Sequence, residues 1–147
     1  MPLRAVYCVA NPRNSTAIAA VSRLVSHPAK TLARREEIVN TLLDNERCLS
    51  ALRVANTLAG RDDAPEVKLF LMSDATVVGL PHQHDGAGSG LQAQVEQLVA
   101  AGAQIRLCRT CALARGLAEL TLIAGVSIGT LPELGDWIMA ADKVITF

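Results

Sequence analysis

Aromatic side chains are scarce in this chain: Tyr7, Phe70, Trp137 and Phe147 are the only four among 147 residues. The core must therefore be filled from Ala, Val, Ile and Leu, which suits helices layered on a parallel sheet better than an aromatic-rich sandwich. Net charge is absent as well, fourteen basic residues balancing fourteen acidic ones. That balance leaves no electrostatic footprint for nucleic acid and no basic patch for a membrane surface. No apolar run approaches the ~18 residues that span a bilayer, and the stretch 5–10 is too short for the core of an export signal. Neither GxxxxGK[ST] nor GxGxxG occurs, and "DGAGSG" at 85–90 follows no strand directly, so neither a phosphate loop nor an organic cofactor is expected.

What is present fits one domain spanning 1–147 with a single sizeable core. Half the residues are hydrophobic, and the mean hydropathy of +0.29 points to some apolar surface buried between subunits. Four cysteines, Cys8, Cys48, Cys108 and Cys111, in a chain of this length speak for a reducing cytoplasm rather than a disulfide scaffold.

Along the chain, 5–10 reads as a short strand, 15–25 as a helix broken by His27-Pro28, and "LARREE" at 32–37 as a solvated charged run. "IVN" at 38–40 is a brief strand candidate. Leu49, Leu52, Ala55 and Leu58 then share one helical face, with Asp44 or Asn45 as cap. "VKLFLM" at 67–72 is a strand buried on both faces. A polar, Gly-rich loop at 81–90 precedes a helix at 91–101 that Gly102 ends. A strand at 104–108, a helix at 112–123, a strand at 126–130, a helix at 131–141 with Pro132 in its first turn, and a strand at 143–147 complete the chain. The alternation implies right-handed crossovers and an open, mainly parallel α/β sheet of about five strands with helices on both faces.

In such a sheet, function collects where strands end and helices begin. "RLCRTCALARG", 106–116, lies at such an edge. Unpaired N–H groups of the helix start, and Arg106, Arg109 and Arg115 if they face inward, favour thiolate on Cys108 and lower its pKa. Asp74, following the strand "LFLM", shares that carboxyl edge. Two small buried core residues are an equally good account of Cys108 and Cys111 on spacing alone. A lone CxxC supplies only two of the four ligands of a structural zinc site, and Cys8, Cys48, His82 and His84 would have to complete it, so no metal is expected. His82, His84 and Asp85 on a polar loop read most simply as solvated.

Four stretches, "DNERCLSALRVANTLA" at 44–59, "VKLFLMSDATV" at 67–77, "IRLCRTCALARGL" at 105–117 and "LGDWIMAADKVITF" at 134–147, together resemble the DsrE/DsrF-like family of small sulfur-relay proteins. The likeness runs from about residue 40 to 147. It implies a five-stranded α/β sandwich assembled as a trimer or hexamer, in which a cysteine at the position of Cys108 carries a persulfide to a partner protein. Arg115 and Gly116 belong to the "ARG" that follows the cysteines in the resemblance. Residues 1–35 have no counterpart, and Glu36 and Glu37 stand where the family's first strand is apolar, so either the register is irregular there or an N-terminal segment substitutes. On this reading Cys108 is the nucleophile and the fastest of the thiols, Cys111 resolves the persulfide or packs, and Arg109, Arg115, Gly116 and Asp74 support them. The rivals are a non-catalytic subunit of an oligomeric assembly and a CxxC thiol-disulfide module.

Overall fold

A computed structural model describes residues 4–9, 45–62, 64, 66–83 and 90–147. Strands β1 (Arg4–Val9), β2 (Glu66–Leu71), β3 (Gln104–Cys108), β4 (Val126–Gly129) and β5 (Lys143–Thr146) lie in the order β4-β3-β2-β1-β5. Every pairing is parallel. Helices α1 (Asn45–Ala59), α2 (Leu91–Ala100), α3 (Arg109–Ala114) and α4 (Leu131–Ala140), with a 3₁₀ segment at Ser73–Gly79, make the connections. The expected helix at 15–25, strand at 38–40 and loop residues 84–89 lie outside the described residues.

Strand periodicity sorts the side chains onto two unlike faces. Val67, Leu69 and Leu71 of β2 and Ile105 and Leu107 of β3 point to one face. There they pack with Leu49, Leu52 and Ala55 of α1 and Leu91, Val95 and Leu98 of α2 in one aliphatic core. Phe70 and Cys108 point the other way, against Leu134 and Trp137 of α4. Helices therefore cover both faces, as the alternating pattern predicts.

β1 is the strand whose origin the sequence left open. Arg4–Val9 pairs with both β2 and β5, so an N-terminal segment does supply a strand inside the sheet. Its hydrogen-bonded register, Cys8 beside Phe70 and Thr146, is set by strands from much later in the chain.

The helix expected at 112–123 is corrected. α3 begins at Arg109, straight after the strand, and ends at Ala114. Gly116 adopts φ +66°, its N–H donates to the Leu113 carbonyl at 3.1 Å, and the Leu117 N–H donates to that of Ala112 at 2.8 Å. This paired closure satisfies the last carbonyls of the helix and turns the chain away, at a backbone angle that glycine adopts without strain. The apolar residues beyond it, Leu117 and Ile123, are buried from irregular backbone, which is why their spacing imitates a longer helix.

α4 starts as its residues require. The Thr130 hydroxyl accepts from the Glu133 N–H at 3.3 Å, and Glu133 accepts from the Thr130 N–H at 3.4 Å. Pro132 sits in the first turn, where a missing N–H costs nothing. Gly129, at the end of β4, lets Arg106 and Phe70 come close: a Cβ there would lie 2.8 Å from Arg106 Cβ and 2.9 Å from the Phe70 ring.

Candidate functional site

β2 and β3 end side by side, with Leu71 paired to Leu107, so the residues that follow each strand meet at the carboxyl edge. From β2 come Ser73 and Asp74 at the start of the 3₁₀ segment. From β3 come Cys108, its last residue, and Thr110 and Cys111 in the first turn of α3. These five, with Arg115 one turn further on, form the candidate site.

Arg115 is the tie. Its Nε donates to Asp74 Oδ1 at 2.9 Å, and a terminal nitrogen donates to the same oxygen at 2.6 Å and to Ser73 Oγ at 3.2 Å. The other terminal nitrogen donates to the Cys111 carbonyl at 3.2 Å. One guanidinium thus fastens the segment after β2 to the helix after β3, a use of the planar fork that an ammonium cannot copy. Ser73 sits at φ +53°, a left-handed conformation that costs a non-glycine residue about 1–3 kcal/mol and concentrates at functional sites.

Cys108 Sγ lies 3.2 Å from Thr110 Oγ1 and is all but sealed, at 1% exposure. Burial pushes its thiol pKa up, but the Thr110 hydroxyl, the Cys111 N–H and thiol, and the Thr110 N–H together outweigh this, leaving it below the ordinary value. The two amides act through their dipoles, since neither makes a capping bond of good geometry to the sulfur. Cys111 behaves oppositely. Burial raises its pKa and the neighbouring Cys108 sulfur raises it further, against smaller lowering by the Ser73 N–H and the Arg115 charge. The result is a thiolate-favouring sulfur paired with a proton-holding one, the arrangement in which a thiol donates to a thiolate.

The sequence-based residues divide in this geometry. Cys108, Cys111, Asp74 and Arg115 come together. Gly116 shapes the end of α3 and so aims Arg115. Arg109 faces away: it is exposed and lines a shallow depression of about 360 Å³ with Leu113, Ala118, Glu119, Ile128 and Thr130. Arg106 is taken up on the strand face, bonded to Glu133 at 3.0 Å and lying over Trp137 at 5.7 Å. Positive charge near the thiols therefore comes from Arg115 rather than from three arginines, and Asp74 offsets part of it. Ser73 and Thr110 were missed by sequence reasoning. Thr110 was legible as a hydroxyl between the two cysteines, whereas Ser73 needed the β2–β3 pairing to bring it across.

A zinc site assembled from scattered cysteines meets a geometric obstacle. Cys48 is buried in the aliphatic core, on the opposite face of the sheet from Cys108. Among the described residues no three His, Cys, Asp or Glu side chains gather as ligands would; the Cys8 side chain, His84 and Asp85 lie outside them. No helix of the described residues is long and apolar enough to cross a membrane.

The profile of the DsrE/DsrF-like family matches residues 38–147. Protein YchN of Escherichia coli strain K12 is 44% identical over 103 residues, covering 70% of this chain and 88% of YchN. The protein MK0008 of Methanopyrus kandleri is 35% identical over 102 residues, 69% of this chain and 83% of that protein. The crystal structure of E. coli YchN superposes with a TM-score of 0.69 at 40% identity, covering 76% of this chain and 95% of the YchN chain.

Proposed function

The chain belongs to the DsrE/DsrF-like family, and from that premise we propose that it is a sulfur carrier. It takes sulfane sulfur as a persulfide on Cys108 and hands it to a partner protein, without an organic cofactor or metal. One observation carries the reading: a sulfur at the carboxyl edge of the sheet, held toward its thiolate form against the cost of burial. Thiolate is the form that attacks sulfur, and a lowered pKa also makes Cys108 a good leaving group when the sulfane atom moves on. Asp74 and Arg115 hold the two segments in register, while Thr110 supplies the donor to the sulfur. The carrier works in the reducing cytoplasm as a homo-oligomer, and the exposed apolar side chains Leu113, Leu120, Leu131 and Met139 are the surface offered to other copies.

A second reading has its own support, since Cys111 packs against the buried cluster that holds Cys108. A thiol-disulfide module would use both sulfurs and lose two hydrogens on oxidation. A scaffold subunit would do neither. Intact mass after exposure to a small-molecule persulfide separates the three. The carrier gains the mass of one sulfur, and the protein with both Cys108→Ser and Cys111→Ser does not. Wild-type protein that takes up no sulfur overturns the carrier reading.

A further inference from the structure

The carrier reading assigns sulfur to Cys108, yet that residue is only 1% exposed, which hinders the in-line approach of a donor from solvent. Cys111 packs against the same apolar cluster of Phe70, Cys108, Leu134 and Trp137 but is only partly buried. We infer that Cys111 is the port of the site: sulfane sulfur enters and leaves through the Cys111 sulfur, and Cys108 exchanges with partners only by way of it. This rests on the carrier reading and assigns the second thiol a route within it.

The chemistry is redox-neutral and needs no further reactant. At entry, the Cys111 thiolate attacks the outer sulfur of a donor persulfide R–S–SH. A bond forms from Cys111 to that sulfur, and the donor leaves as R–S⁻ with the electron pair of the broken bond. The Cys108 thiolate then attacks the same outer sulfur. Its new S–S bond replaces the one to Cys111, which departs as thiolate and takes up a proton from water. Exit is the reverse: Cys111 loses its proton and attacks the outer sulfur on Cys108, releasing Cys108 as the stabilised thiolate. Each step moves one sulfane atom between two sulfurs, so oxidation state is conserved throughout.

Three features fit this division. First, Cys108 at the end of β3 and Cys111 in the first turn of α3 meet in the same cluster with Phe70, Leu134 and Trp137. Second, the sulfur with the lower proton affinity lies inside and is the better leaving group, which eases its release when the sulfane atom moves outward. Third, the Arg115 bond to the Cys111 carbonyl holds the port residue in place.

The sequence makes the test direct, because Arg106, Arg109 and Arg115 are trypsin sites that place the cysteines on separate peptides, 107–109 and 110–115. Full-length protein is mixed with glutathione persulfide, quenched with iodoacetamide at successive times and digested. The expected result is that sulfur appears on 110–115 before 107–109. Cys108→Ser should still load 110–115, while Cys111→Ser should slow loading of 107–109 by about tenfold or more. Sulfur arriving first on 107–109, or Cys111→Ser loading as fast as wild type, overturns the port and leaves the carrier standing. No sulfur on either wild-type peptide overturns both. The wild-type time course needs no variant, so a folding defect in either substitution cannot decide the outcome.

Discussion

The two faces of the sheet differ in almost every physical respect. One is a continuous aliphatic core of leucine, valine, isoleucine and alanine from β2, β3, α1 and α2. Among the described residues the other buries Phe70, Cys108, Leu134 and Trp137. Around them lies half-buried charge, with Lys68 and Arg106 over Trp137 at 5.5 and 5.7 Å and Lys68 bonded to Glu66 at 3.1 Å. Phe70 meets Trp137 edge to face at 5.9 Å. Burial of aliphatic surface makes the first face the main source of stability. The second has few apolar contacts to lose, and at its carboxyl edge holds sulfurs whose protonation its polar neighbours control. Stability and chemistry are thereby separated by the thickness of one sheet.

Leu69→Ala should test that separation with the largest effect. Leu69 is fully buried in the aliphatic core, so the change should cost about 3 kcal/mol, read as a lower urea midpoint. Below the unfolding transition the alkylation rates of Cys108 and Cys111 should be unaltered. A change in those rates would show that the faces are mechanically coupled.

Arg115→Lys should have a smaller effect on stability and a larger one on the site. The pair with Asp74 is about one-third exposed, so loss of the fork should cost no more than about 1 kcal/mol. Freed from its tie to Ser73 and Asp74, the first turn of α3 should open, and Cys111 should alkylate faster. Unchanged Cys111 kinetics would remove the clamp from the account.

Thr110→Val is expected to leave stability nearly intact and to move only the thiol. Without the hydroxyl 3.2 Å away, the pKa of Cys108 should rise, displacing the pH profile of its alkylation upward. A linked effect on folding follows in sign. Because the folded state lowers the Cys108 pKa, its contribution to stability is present above the ordinary cysteine value and is lost as pH falls through the lowered one. The raised Cys111 acts in the other sense: its contribution is complete below the ordinary value and is lost as pH rises through the raised one. The stability gap between wild type and Thr110→Val that comes from this thiol should be widest above the ordinary value and should close as pH falls through the lowered one. Coincident curves would mean that Thr110 does not hold the thiolate.

Much of this arrangement was legible in the residues. Period-2 and period-3.6 patterns placed β2, β3, α1, α2 and α4 within a residue or two of where they lie, because each buries a regular apolar face. Cys48, four positions before Leu52 and seven before Ala55, is buried with them in the aliphatic core. The length of α3 was misread because burial from irregular backbone after Gly116 mimics helical spacing. At the site, proximity in sequence made the pairing of Cys108 with Cys111 at one strand end readable. The fates of the three arginines were not, since each depends on a partner from another element: Glu133 and Trp137 for Arg106, Asp74 and Ser73 for Arg115, and for Arg109 the open depression beside α3.

Local pattern by itself determined that this chain alternates strands and helices, that its strands run parallel, and that two cysteines stand at a strand end. Those properties follow from side-chain period and turn chemistry, which act over a few residues. Tertiary structure alone decided that Arg4–Val9 enters the sheet beside β2 and β5, and that Asp74 reaches Arg115 across 41 positions of chain. It also decided that, of Cys108 and Cys111, the one whose thiol pKa is lowered is the more deeply enclosed. Burial and charge pairing are properties of groups brought together by packing, so no local spacing can state them.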